Sequence, residues 1–152
     1  MAPFSRNPAM ETQGVLEPAS VAEATAVYED CGPVAQEVVR EVVIAGGADR
    51  EEYEARVTAE VVETARDAIF AGMLAVHTDT LEAFEAWRAD LPADWTVHVE
   101  GTEHVAHAAW HVAPGFEAAV ATTYEHERKA AISTLRRIAW GRVYRAALAP
   151  RE

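Results

Sequence analysis

The stretch WTVHVEGTEHVAHAAWHV, residues 95–112, is where the chain changes its hydrophobic period. Trp95, Val97 and Val99 alternate with Thr96, His98 and Glu100, the two-residue repeat of a strand with one buried face. Gly101-Thr102 offers a two-residue turn with glycine first, the type that joins antiparallel strands. The expectation is a small antiparallel β-hairpin over about 95–112, with Trp95 opposite Ala108 and Val97 opposite Ala106. One face then carries Trp95, Val97, Val99, Ala106, Ala108, Trp110 and Val112 as a core surface. The other carries Thr96, His98, Glu100, Glu103, Val105, His107 and His111.

Around this segment the chain reads as helix. Ser20 with Glu23, Asp49 with Glu52, and Asp79 with Glu82 each repeat the reciprocal pattern of a capped helix N-terminus. The first helix starts at Ser20 and is interrupted at Gly32-Pro33. The second runs from Val34 to about Ile44 and closes at Gly46-Gly47, since glycine readily takes the left-handed conformation of a helix end. A long acidic helix is expected over about Arg50–Leu74, and a shorter one from Asp79 to about Asp90 that buries Leu81, Phe84 and Trp87. The last spans about Phe116–Ala147, where Val120, Tyr124, Ala131, Leu135, Ile138 and Val143 share a broad face with Arg128 and Arg142. Residues 1–19, with Pro3, Pro8 and Pro18, read as a mobile lead-in in which Met10 is an alternative start to Met1. The sequence therefore predicts one α+β domain over 20–148, mainly helical, with four to five helices, one hairpin and a long C-terminal helix.

Composition narrows the function classes. Half of the residues are hydrophobic, yet no apolar run approaches the roughly 20 residues that a membrane span needs. The N-terminus lacks the apolar segment of a secretory signal, so a cytoplasmic location is expected. Cys31 is the one cysteine, which excludes an internal disulfide and a multi-thiolate metal site. The net charge is -12, from 25 acidic against 13 basic residues, and Lys129 is the one lysine. Such an acidic surface suits a concentrated-salt cytoplasm, where the screening length falls to about 3 Å at 1 M and self-repulsion costs little.

The histidines are the first candidates for chemistry. On a strand, His104 points away from His107 and His111, and those two stand about 13 Å apart, too far to share one metal ion. His98 with His107 across the hairpin is the remaining metal pairing. His98, His107 and His111 with a neighbouring carboxylate could also do acid–base work, and His77, beside the helix start expected at Asp79, is a fourth catalytic candidate. Hydrogen-bonded or solvated histidines and an ordinary Asp79 cap explain the same residues more simply. No glycine-flanked nucleophile, phosphate loop, His-Glu-x-x-His or Glu-x-x-His is present, so no cofactor is expected and the balance is against an enzyme.

The C-terminal segment carries Arg128, Arg136, Arg137, Arg142 and Arg145, with Trp140 and Tyr144 interleaved. Basic and stacking side chains together suit single-stranded nucleic acid. These arginines, however, are distributed around the helix, which favours ion pairing with the acidic helix of Glu51 to Asp67, within the chain or across subunits. The expected partners are accordingly a second copy of the chain or another protein, with nucleic acid a less favoured alternative and no membrane.

Five segments, METQG from Met10, CGPVAQEVVREV from Cys31, DREEYEARVTAEVVETARDAIFA from Asp49, GTEHVAHAAWH and ERKAAISTLRRIAWGRVYR, together resemble an uncharacterised domain family of halophilic archaea. The resemblance covers about Met10 to Arg145. It brings no activity, cofactor or catalytic residue. The reading is a structural or protein-interaction domain, with a histidine and carboxylate enzyme as first alternative and a nucleic-acid-associated protein as second.

Overall fold

Five strands, β1 (Glu11–Gln13), β2 (Val76–Thr80), β3 (Thr96–Glu100), β4 (His107–Ala113) and β5 (Ala118–Tyr124), form one mixed sheet in the spatial order β1-β2-β4-β5-β3. A computed structural model describes residues 10–150. The α+β class stands, but the hairpin over 95–112 does not. β3 pairs in parallel with β5, placing His98 beside Val120, and β4 pairs antiparallel with β5, placing His111 beside Val120. β3 and β4 are therefore separated by a strand that the sequence disguises as the start of a helix.

The disguise has a physical cause. β5, AAVATTY, is central and covered on both sides, so it shows none of the alternation that marks a half-exposed strand. Its Ala121 joins the cluster around Phe84, while Val120 belongs to the larger cluster beneath the other helices. Gly101 is needed for a reason other than a hairpin turn. It sits at φ 105°, where the chain leaving β3 crosses beside β5, and a Cβ there would collide with the side chain of Thr123. The expected core face survives the change of register: Trp95, Val97, Val99, Ala108, Trp110 and Val112 all pack in the Phe84 cluster.

The helices arrange themselves by burial. α1 (Val21–Ala45) begins at Ser20, whose hydroxyl accepts the Glu23 N–H at 3.0 Å. It continues through Gly32-Pro33, against expectation. An interior proline costs about 3 kcal/mol, but one buried stripe of Tyr28, Cys31, Ala35, Val39 and Val43 crosses it unbroken. The long acidic helix is two: α2 (Arg50–Arg56), capped by Asp49, and α3 (Ala59–Met73), opened anew by the Thr58 hydroxyl on the Val61 N–H at 3.2 Å. α4 (Leu81–Ala89) is capped by Thr80, and Asp79 lies in β2 instead. The C-terminal helix consists of α5 (Arg128–Ala139), a π-helical turn (Trp140–Tyr144) and a last turn, α6 (Arg145–Leu148).

The C-terminal helix lies on one face of the sheet, with α3 packed against it and α1 against α3, and α4 covers the other face. Phe70 of α3 is the hub of the larger core, with ring centroids 5.8 Å from Tyr28, 5.6 Å from Trp140 and 5.2 Å from Tyr144. The expected lead-in is shorter than its prolines suggest. Residues 11–13 form β1, Leu16 bridges to Leu74, and Leu16 and Pro18 are buried. The rest of the lead-in, residues 1–9, lies outside the described residues.

Gly101→Ala is expected to destabilise the fold by about 2 kcal/mol or more, through both the positive φ and the Thr123 contact. Adding Thr123→Ala should recover part of that loss in a urea-denaturation double-mutant cycle. Strictly additive losses would contradict the crossing beside β5.

Candidate functional site

The histidines do not share one environment. His111 is fully buried on the face of β4 that meets the C-terminal helix, not on an open face. Its Nδ1 lies 2.7 Å from the Ala75 carbonyl and its Nε2 lies 2.6 Å from the Tyr144 hydroxyl. A carbonyl only accepts, so Nδ1 carries the hydrogen and donates it, and the Tyr144 O–H donates to Nε2. Burial holds the imidazole pKa down to about 4, and burial raises that of the Tyr144 phenol. Both groups are thereby fixed in neutral form, with every polar atom of the ring satisfied.

Tyr144 reaches that position because of the π turn. At 100° per residue from Ala131, an unbroken α-helix would carry Tyr144 to about 220°, away from the buried arc of Leu135, Ala139 and Ile132. The Arg145 N–H bonds back to the Trp140 carbonyl, five residues earlier. That wider turn sets Tyr144 back onto the buried face and leaves Arg142 outward. This is why the face predicted for Val143 and Arg142 is one position out.

His77 is the second residue of β2, not beside a helix N-terminus. Its Nε2 pairs with the Glu17 carboxylate, and its Nδ1 lies 2.8 Å from the Thr12 hydroxyl. In the neutral ring, Nε2–H donates to Glu17 and Nδ1 accepts from Thr12. Hydroxyl, imidazole and carboxylate are in the order that activates a hydroxyl nucleophile. Here the three groups also pin residues 12–17 against β2. Thr12 and Glu17 were invisible to sequence reasoning, because 65 and 60 positions separate them from His77 and no local pattern joins them.

His98 shares the helix-facing side of the sheet with His107 and His111, but the sheet keeps them apart. His98 and His111 flank Val120 from opposite sides, about 10 Å apart, and His107 is a further four residues along β4 from His111, about 13 Å. His98 and His107 therefore cannot ligate one ion from one chain. Among the described residues no cluster of three or more histidine, cysteine or acidic side chains is placed to hold a metal. His107 stacks on Tyr124 at 5.3 Å in a wide recess of about 390 Å³ that also borders Asp79, His126, Arg128 and Glu11. His104 is exposed in the loop after β3.

His98 and Arg142 are brought together. Both line a recess of about 350 Å³ between the β3–β5 ladder and the π turn, with Thr96, Phe116, Val120 and Val143. The Glu100 carboxylate lies 3.4 Å from His98 Nε2, in a geometry that makes no hydrogen bond, so Nε2 is buried without a hydrogen-bond partner among the described residues.

The other arginines divide by task. Arg128 pairs with Glu11 of β1, and Arg136 donates from Nε to the Leu74 carbonyl at 3.1 Å. Burial lowers the Arg136 pKa, and its stem fills the junction between α5 and the start of β2. Trp140 and Tyr144 are core residues and offer no stacking platform to a nucleic-acid base. Lys129, Arg137, Arg142 and Arg145 remain exposed.

One surface feature was legible but unread. In QEVVREVVIA, the doublets Val38-Val39 and Val42-Val43 each supply one buried and one outward valine. Val34, Val38 and Val42, spaced by four residues, are 50%, 45% and 66% exposed along one edge of α1, and Val61 of α3 is 42% exposed. A protein-family model described as Family of unknown function (DUF5809) matches residues 15–145, and the chain belongs to that family. No curated protein and no solved structure matches the chain.

The His111 network has a pH signature. Its folded pKa, about 4, lies below the ordinary value of 6.5, so the unfolded chain binds more protons between the two. The contribution is fully present above pH 6.5 and is lost as pH falls toward 4, the loss reaching about 3 kcal/mol at lower pH. Urea denaturation from pH 7 to 4 should show this component in the native protein and lose it in His111→Gln. At pH 7, Tyr144→Phe should cost about 1–3 kcal/mol by leaving Nε2 unsatisfied.

Proposed function

We propose that this member of the family is a cytoplasmic interaction domain of a salt-adapted cell that works by pairing with a second copy of itself. The observation that carries the reading is the valine row Val34, Val38 and Val42 on α1, with Val61 on the neighbouring helix. Single exposed hydrophobics are ordinary, but a row at helical spacing is not explained by the chain's own core.

Charge argues for what covers it. Residues 34–63, which contain the row, hold eight acidic and three basic side chains. Residues 128–148 hold six basic side chains and no acidic one, and of the six Lys129, Arg137, Arg142 and Arg145 are exposed. The acidic arm of one protomer against the basic helix of another, repeated by a twofold axis, satisfies both surfaces in a closed dimer. Concentrated salt screens the charge pairs and strengthens apolar burial, so in a halophilic setting the valines supply affinity and the charges supply orientation. The net charge of -12 is consistent with that setting.

Light scattering after size exclusion, in molar salt, should give about twice the chain mass of 16.5 kDa. Val38→Asp with Val42→Asp should return the monomer while leaving the circular dichroism unchanged, and Arg137→Glu with Arg145→Glu should weaken the dimer most at low salt. A monomer at every salt concentration, up to hundreds of micromolar protein, would overturn the reading.

A further inference from the structure

We infer that the recess beneath the π turn binds a small amphiphilic monoanion, a carboxylate or sulfonate carried on a compact apolar body. Its volume of about 350 Å³ is within the range of small-molecule sites. Phe116, Val120 and Val143 give it an apolar side, and its polar side chains come from two elements: Thr96 and His98 from β3 and Arg142 from the C-terminal helix. That is the composition of a site in which burial gives affinity and one anchored charge gives orientation.

Three features together point to a ligand. His98 Nε2 is a buried polar atom with no hydrogen-bond partner among the described residues, and burying such a group unpaired is costly. Arg142 borders the same space, and no described residue forms an ion pair with it. The π turn that holds Arg142 there is a rare helical form found often at functional sites. Arginine's planar fork matches a carboxylate or sulfonate, and His98 Nε2–H can donate to the same head group.

Glu100 sets the limit on charge. Its carboxylate, 3.4 Å from His98 Nε2, makes a doubly charged head group unfavourable in a chain that already carries -12. A single negative charge, placed between Arg142 and His98 with the apolar body over Val120 and Phe116, satisfies both polar groups.

The probe is 2-naphthoate, titrated into the full-length ¹⁵N-labelled protein and followed by amide shifts, with the neutral 2-naphthamide as its control. Saturable shifts confined to residues 96–98, 116–120 and 142–143 are expected. About tenfold weaker binding is expected for 2-naphthamide, and likewise for Arg142→Gln, as the loss of one charge-assisted pair predicts. Val143→Trp, which fills the recess, should abolish the shifts. An unchanged amide spectrum away from the substituted position shows that each variant is folded. The proposal is overturned by no saturable shift at millimolar naphthoate, by shifts elsewhere on the surface, or by equal binding of acid and amide.

Discussion

A histidine buried without access to water must have both ring nitrogens satisfied, and the rest of the molecule is arranged around meeting that demand for His111. The Ala75 carbonyl takes one nitrogen's hydrogen and the Tyr144 hydroxyl supplies the other's. The first partner ties β4 to the start of β2. The second ties the sheet to a residue near the C-terminus. Placing Tyr144 there requires the widened turn, and the widened turn in turn determines which way Arg142 faces. Phe70, packed edge-on against Tyr144, passes the same constraint to α3, and through Tyr28 to α1. Arg66 closes this side, donating to the Tyr28 carbonyl at 2.8 Å and lying over its ring.

Charge is segregated where packing leaves it free. Arg128 and Arg136 serve the fold directly, one as a partner of Glu11 and the other bonded to main-chain carbonyls. Four exposed cations, Lys129, Arg137, Arg142 and Arg145, gather on the C-terminal helix, while residues 34–63, over the far end of α1, α2 and the start of α3, hold eight acidic side chains against three basic ones.

Sequence reasoning recovered what local physics controls. The caps at Ser20 and Asp49 are as expected, because an N-cap is decided by residues three apart. The face containing Trp95, Val97, Val99 and Trp110 was legible because β3 is an edge strand, with one side in the core. It failed where burial is two-sided. The alternating code disappears in β5, an alanine-rich strand then reads as a helix, and the hairpin register built on that error fails with it. His98, His107 and His111 do share one side of the sheet, as alternation implied, but what covers them is non-local. The Tyr144 partnership and the Thr12 and Glu17 contacts of His77 come from segments dozens of residues away. The π turn leaves no signature beyond a phase that runs one residue late.

The spatial order of the strands also dictates an order in time. β3 is made before β4, yet its ladder partner is β5, which leaves the ribosome last of the five. Until residue 124 has emerged, the valines of β3 have no sheet to join, while β2 and β4 can already pair. The final strand must then enter between two that precede it, closing contacts that local helix formation cannot begin. Gly101, which lets the chain pass close to Thr123, sits at the threshold that this insertion crosses. During that interval the nascent protein exposes an unfinished sheet edge, its most vulnerable state for misassociation.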